Sequence, residues 1–275
     1  VTFRNNVITT GSTRGRRGDD STSSGRRAEW PEPDISISRT LDGNVVTLEG
    51  TIEIGRPPFK EWGAVHNGSL YAATLFAEEL ERQGIGVAQG PADCDDLEDK
   101  AQRLARERYR LVHTHVSPPL SELVRIVNKP SQNFYADMIQ RTLGVHIAGR
   151  EGSFRSGARA VRDALTSMGV AAEHIAELEM ADGSGLSRQD RVTPNLIIDL
   201  LAAMERQPEA VKKAFFDSLP VMGVDGTLRT RLRGTPAEKA VWAKTGTIGG
   251  VRALSGYLYS ADNHKLAFCM IANNY

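Results

Sequence analysis

Ala240-Val241-Trp242-Ala243-Lys244-Thr245, Val251-Arg252-Ala253-Leu254-Ser255-Gly256-Tyr257-Leu258-Tyr259 and Lys265-Leu266-Ala267-Phe268-Cys269-Met270-Ile271-Ala272 are three apolar runs of strand length near the end of this chain. A Gly-rich turn follows the first, and Ala261-Asp262-Asn263 joins the last two. Short turns of this kind connect antiparallel neighbours, so the three runs predict one antiparallel sheet. Working back towards the N-terminus, the apolar period changes to that of a helix. Leu70 to Arg82 carries Leu70, Ala73, Ala77 and Leu80 on one side, with Asn67-Gly68 as a turn signal, Ser69 able to cap and Gly84 to stop it. Further helical stretches are expected at about 98–110, 119–128, 132–143 and 154–168. Thr193-Pro194, a cap followed by Pro at the first helical position, leads a helix through Leu196, Ile197, Leu200, Leu201 and Met204. Pro208 begins another at Val211, Ala214 and Phe215. Many helices ahead of terminal strands predict an α+β domain over 65–275, with helices segregated around an antiparallel sheet.

Ahead of that domain, Val46, Leu48, Ile52 and Ile54 alternate with Thr and Glu, the period of a half-buried strand. Residues 12–33 are rich in Arg, Gly, Ser and Asp and close on Pro31 and Pro33, a loop or linker composition. The Arg17-Gly18-Asp19 tripeptide inside it is of the kind such a composition produces by chance. Residues 1–64 therefore read as β-rich with a flexible loop at 12–33. The 275 residues are 40% hydrophobic and 25% charged, a globular composition long enough to bury a core. Lys plus Arg number 34 and Asp plus Glu 34, and this balance argues against nucleic acid or an anionic membrane as the main partner. No run approaches the roughly 18 apolar residues of a membrane-spanning helix. Cys94 and Cys269 have no metal-type spacing, and Cys269 in its apolar run reads as a core filler. The His113-x-His115 pair has no obvious third ligand. The acidic run Asp93 to Asp99 lacks the glycine of a calcium loop and reads as solvated surface.

Chemistry concentrates at two places. Lys244-Thr245-Gly246-Thr247 ends an apolar strand, where a fixed cation beside two hydroxyls can hold a carboxylate and the glycine lets a ligand lie against the backbone. By itself a three-residue match recurs by chance, and its bland reading is a strand end before a turn. Ser131-Gln132-Asn133, 113 residues upstream, stands at a helix start, where Ser or Asn is ordinarily a cap. The Gly-rich Asp182-Gly183-Ser184-Gly185 has no G-x-x-x-x-G-K-[ST] pattern and reads as a tight structural turn.

Taken together and in this order, Ser131-x-Asn133 and Lys244-Thr245-Gly246 resemble two of the three motifs of the penicillin-binding and serine β-lactamase superfamily. Longer stretches are similar to its D-alanyl-D-alanine carboxypeptidase/endopeptidase family. They are Ser117-Pro118-Pro119-Leu120 through Asn128-Lys129-Pro130 to Asp137, Asp182 to Arg188 with Thr193-Pro194, Leu219-Pro220 through Gly223-Val224-Asp225-Gly226-Thr227-Leu228 to Arg231-Leu232, and Leu254-Ser255-Gly256-Tyr257. The resemblance runs from about residue 65 to 275 and implies a serine-type hydrolase with a penicillin-binding fold, preceded by part of a β-rich inserted domain. Such an enzyme cleaves the terminal D-Ala-D-Ala bond or cross-links of peptidoglycan through an acyl-enzyme and is acylated by β-lactams. By the same resemblance, Ser131 would relay a proton to the leaving amine and Asn133 would hold the substrate amide. Lys244 would orient Ser131 and attract the substrate carboxylate. Thr245, Gly246 and Thr247 would bind substrate, the Thr247 N–H as half of an oxyanion hole. The implied partners are stem peptides ending in D-Ala-D-Ala and β-lactam antibiotics, with no cofactor or metal, and the implied location is periplasmic or extracellular.

The third motif, S-x-x-K, carries the nucleophile and its lysine base. No serine in the sequence has a lysine three residues on: Ser23 has Arg26, Ser36 has Arg39 and Ser156 has Arg159. A guanidinium stays protonated and cannot serve as the base. Val1-Thr2-Phe3-Arg4 carries neither an initiator Met nor a signal pattern, and Asn273-Asn274-Tyr275 comes where the resemblance leads one to expect a closing helix. Both ends therefore read as truncated, and the chain alone is expected to be inactive. The rival readings are a non-catalytic peptidoglycan-binding homologue and a β-lactamase, from which the Asp182 and Gly223–Leu228 stretches point away.

Overall fold

The structure, a computed structural model, describes residues 1–10, 33–56, 58, 63–93, 110–149 and 152–274. The expected helix up to 109, Cys94, the acidic run beyond Asp93 and the loop at 12–32 with its Arg17-Gly18-Asp19 lie outside the described residues. The chain divides into two units, Val1–His113 and Thr114–Tyr275.

In the first unit, β1 (Thr2–Thr10), β2 (Asp34–Arg39) and β3 (Val45–Glu53) form a sheet in the order β1-β3-β2. The central β3 runs parallel to β1, with Thr2 opposite Val45, and antiparallel to β2, with Ser36 opposite Glu49. Helix α1 (Gly68–Arg82), which the change of period near 65 assigns to the later domain, lies in this unit. Its cap is Asn67 rather than Ser69. Asn67 stands at φ 51°, a left-handed conformation that asparagine tolerates better than most residues, and its side-chain oxygen accepts from Leu70 N.

The second unit is helical first and a sheet last. Helices α2 (Leu120–Asn128), α3 (Asn133–Ala148), α4 (Phe154–Ser167), α5 (Ala172–Ala176), α6 (Pro194–Glu205) and α7 (Glu209–Ser218) precede β4 (Val241–Ile248), β5 (Val251–Tyr259) and β6 (Lys265–Asn273). The sheet order is β4-β5-β6, antiparallel throughout, with Lys244 opposite Ser255 and Ser255 opposite Cys269. Local chemistry sets the helix ends. Ser153 and Ser156 form a reciprocal capping box on α4, and the Thr193 side chain accepts from Leu196 N ahead of Pro194. Helices α3 and α4 meet across glycines: a Cβ on Gly157 would lie 2.2 Å from the Gln140 carbonyl oxygen, and one on Gly144 2.2 Å from Ser156 Oγ.

Three apolar clusters join these layers. Leu165, Val170, Ile175, Leu196 and Ala203 pack α4, α5 and α6 together. Leu201, Leu219 and Tyr257, with Phe216 and Trp242 beside them, dock α6 and α7 on the sheet. Tyr257 is 2% exposed, yet its hydroxyl is satisfied by donating to the Leu201 carbonyl at 2.8 Å. Lys265 Nζ sits 4.4 Å from the Phe216 ring centre and 4.5 Å from that of Tyr257, held by Glu205 at 2.5 Å. Met222, Leu228 and Ala243 form the third cluster, directly behind the lysine of β4.

Candidate active site

Ser131 sits in the turn between α2 and α3 at φ 63°. For a residue with a Cβ this left-handed conformation costs on the order of 1–3 kcal/mol and persists where surrounding contacts over-determine it. The cap of α3 is not Ser131 but Gln132, whose Oε1 accepts from Phe134 N at 3.2 Å. The Ser131 hydroxyl is thereby left to another partner. Lys244 Nζ donates to Ser131 Oγ at 2.7 Å and to its neighbour's carbonyl, Thr245 O, at 2.8 Å. The two motifs, 113 residues apart in sequence, thus meet in hydrogen-bond contact. Burial holds the Lys244 ammonium below the usual lysine range, because leaving water disfavours its charged form.

Main-chain pairing supplies the frame. Segment 220–222 pairs with the outer edge of β4 around Trp242: Ala243 N donates to Pro220 O and Met222 N to Val241 O, each at 2.9 Å. The K-T-G residues follow directly beyond this bridge. The chain then turns through Asp225 into a 3-10 turn at Gly226–Leu228. There Thr227 N donates to the Lys129 carbonyl at 3.1 Å, and Thr245 Oγ1 meets Thr227 Oγ1 at 2.9 Å. Gly226 stands at φ 56°, and a Cβ on it would lie 2.7 Å from the Lys129 carbonyl oxygen, so glycine is required for this close approach.

A cleft of about 790 Å³ opens over this contact, lined by Ser131, Asn133, Lys244, Thr245, Gly246 and Thr247. All six residues expected to serve one site share it. Arg188, Arg191 and Arg231 also line it, and among the described residues Asp190 is the one carboxylate of the lining. A cleft bearing four cationic side chains attracts an anionic ligand. The Asp182 turn forms part of the same wall through Ser184 and Gly185. Asp182 Oδ1 accepts from Gly185 N at 2.6 Å and Oδ2 from Ser187 N at 2.8 Å, the tight turn that the sequence predicted. Burial pushes the Asp182 carboxyl up. The N–H groups of Gly185 and Ser187, together with the Asp190 and Ser184 side chains, outweigh burial and hold it below its ordinary value. Asp190 goes the other way, raised by burial and by the Asp182 charge against the N–H bonds of Ala181 and Asp182. Thr227, Asp190 and Arg231 are contributors that motif reasoning did not single out. Thr227 and Arg231 stand in the longer stretches, which carry no chemistry-bearing pattern of their own, and Asp190 falls just beyond one of them. Cys269 is half-buried in β6, and burial raises its thiol.

The family model described as the D-Ala-D-Ala carboxypeptidase 3 (S13) family matches residues 16–275 of this chain. The chain is 35% identical over 252 residues to the D-alanyl-D-alanine carboxypeptidase of Actinomadura sp. (strain R39), covering 88% of this chain and 43% of that protein. It is 31% identical over 236 residues to the D-alanyl-D-alanine carboxypeptidase DacB of Haemophilus influenzae, covering 85% and 46%. The chain thus spans less than half the length of these two curated relatives. Among solved structures, penicillin binding protein 4 (dacB) from Haemophilus influenzae superposes with a TM-score of 0.69 at 26% identity, over 100% of this chain and 55% of that one. The same protein complexed with a novel β-lactam gives 0.68 at 28% identity, over 88% and 53%.

Proposed function

Because the chain belongs to the D-Ala-D-Ala carboxypeptidase 3 (S13) family, we propose that it supplies the proton-relay and carboxylate-binding half of a serine-type D-Ala-D-Ala carboxypeptidase. Its substrates would be peptidoglycan stem peptides and cross-links, outside the cytoplasm, and β-lactams would react at the same site. The observation that carries this reading is the 2.7 Å contact of Lys244 Nζ with Ser131 Oγ in a cleft that Asn133 also lines. Acyl transfer requires a proton to reach the departing D-Ala nitrogen as the C–N bond breaks. Ser131 Oγ can deliver it, and a lysine ammonium at hydrogen-bond distance stabilises the oxygen that has given its proton up. Positioned general acid–base transfer of this kind contributes roughly 10²–10⁴-fold. Lys244 and the arginines of the cleft would attract the terminal carboxylate, Thr245 and Thr247 would bind it, and Asn133 would hold the preceding amide. The Thr247 N–H would be one donor of the oxyanion hole.

The nucleophile belongs to an S-x-x-K pair that these 275 residues do not contain, so we assign it to chain outside them. That absence also favours one rival, a homologue that binds peptidoglycan without cleaving it. Labelling the full gene product with a fluorescent penicillin separates the two. The proposal expects covalent labelling that Lys244→Met reduces about 100-fold or more. A full gene product that never labels, or one that labels equally well as Lys244→Met, overturns it.

A further inference from the structure

We propose that the Lys129–Asp225 ion pair is a positioning clamp that holds Ser131 on Lys244; its catalytic consequence rests on the reading above. Lys129 precedes Ser131 by two residues and is gripped twice by one turn. Its ammonium meets Asp225 Oδ2 at 2.6 Å, and its carbonyl accepts from Thr227 N at 3.1 Å. Asp225 is itself fixed, since its Oδ1 accepts from Val221 N at 2.8 Å within the segment that pairs with β4. Thr227 extends the same turn to Thr245 Oγ1, next to Lys244. A continuous path therefore runs from the residue that sets Ser131's backbone, through Asp225 and Thr227, to the strand that carries Lys244. Both sides of the 2.7 Å contact are referenced to one short turn.

This geometry answers a question the site itself raises. Ser131 holds a left-handed backbone, so something outside it must over-determine that conformation. The Lys129 side chain is largely covered, 16% exposed against 41% for Asp225, so the pair is screened less than a surface ion pair. The α2 end has a further tie, Asn128 Nδ2 to Ser218 Oγ at 2.7 Å. That bond ties the helix end to Ser218, just ahead of the segment that pairs with β4. The Asp225 turn bonds Lys129 directly and reaches Thr245 through Thr227.

The test uses the 275-residue polypeptide with ¹³C-labelled lysines, following the Lys244 titration by NMR in the parent chain and in Asp225→Asn. That variant keeps the side chain's shape and an acceptor for Val221 N. Loss of a negative charge by itself lowers a lysine's titration, whereas release of Lys244 into water raises it. Arg188, Arg191, Arg231 and Asp190, which line the same cleft, are unchanged. The clamp predicts a rise of about half a pH unit or more with little change in melting temperature. A titration that stays put or falls in the folded variant overturns it. In the full gene product, Lys129→Met should slow penicillin labelling about tenfold or more, and Lys129→Arg should restore most of it. Unaltered labelling in a folded Lys129→Met protein counts against the clamp. Unaltered labelling in Ser131→Ala would sink the proposed function instead, while the titration still judges the clamp.

Discussion

Serine is a poor choice for a left-handed backbone position, where glycine or asparagine fits at lower cost, and Ser131 occupies one in the lining of the cleft. A strained residue retained against an easy local remedy points to its side chain, here the hydroxyl that accepts from Lys244. Ser131→Gly separates backbone from side chain. The strain is relieved while the hydroxyl is lost, so the melting temperature of the variant should be no lower than that of the parent. Penicillin labelling of the full gene product carrying the same change should fall about 100-fold or more. Differential scanning fluorimetry and a labelling time course measure the two effects. A variant that melts lower and labels normally would make Ser131 a structural residue. The sequence offered two readings of Ser131, a helix cap and a motif serine, and could not choose between them. What decides is that Gln132 takes the cap, and a glutamine in that role is not a preferred signal.

At the scale of elements, close approach and ion pairing carry most of what can be tested. The α3–α4 contact depends on Gly157, whose added Cβ would lie 2.2 Å from the Gln140 main-chain oxygen, which cannot swing aside as the nearby Gln140 side chain could. Gly157→Leu should therefore destabilise by at least the roughly 1–3 kcal/mol of an overpacked core, read as a lower denaturant midpoint, and an unchanged midpoint would show that the helices separate freely. His174 on α5 and Asp199 on α6 meet at 2.6 Å. The Asp199 hydrogen bond raises the imidazole above its ordinary 6.5, against the lowering effect of burial. A raised folded value means that the pair stabilises fully below 6.5 and loses its contribution as pH rises through the raised value. Asp199→Asn should accordingly lower the melting temperature near pH 5.5 and have little effect near pH 9. The opposite pattern would contradict the assignment.

Helices and the terminal strands were legible because their signals are local. Thr193-Pro194 caps α6 as read, and the period-two runs became β4, β5 and β6 with bounds of Val241–Ile248, Val251–Tyr259 and Lys265–Asn273. The strand β1 and its parallel pairing with β3 were not read, because a partner 43 positions away, such as Val45 for Thr2, leaves no mark in a local window. The same limit hid the contacts of Asp225 and Thr227, which the sequence offers only as members of a longer stretch.

Over the whole molecule, the family and its α+β penicillin-binding fold are carried by long collinear stretches. The chemistry is a matter of which pieces lie in the chain. The S-x-N and K-T-G residues meet in one cleft, and no S-x-x-K occurs among the 275 residues. Under the proposed function, a cleft that holds the relay and anion site but no activated nucleophile would bind a β-lactam without keeping it, since binding and oxyanion donors alone leave a small fraction of the full rate. Intact-mass spectrometry after incubation with benzylpenicillin tests this division most directly, on the 275-residue polypeptide and the full gene product side by side. The account predicts no adduct on the polypeptide, and on the gene product a single penicilloyl group at a serine outside these residues. A stoichiometric adduct on Ser131, or on any other serine of the 275-residue chain, would contradict it.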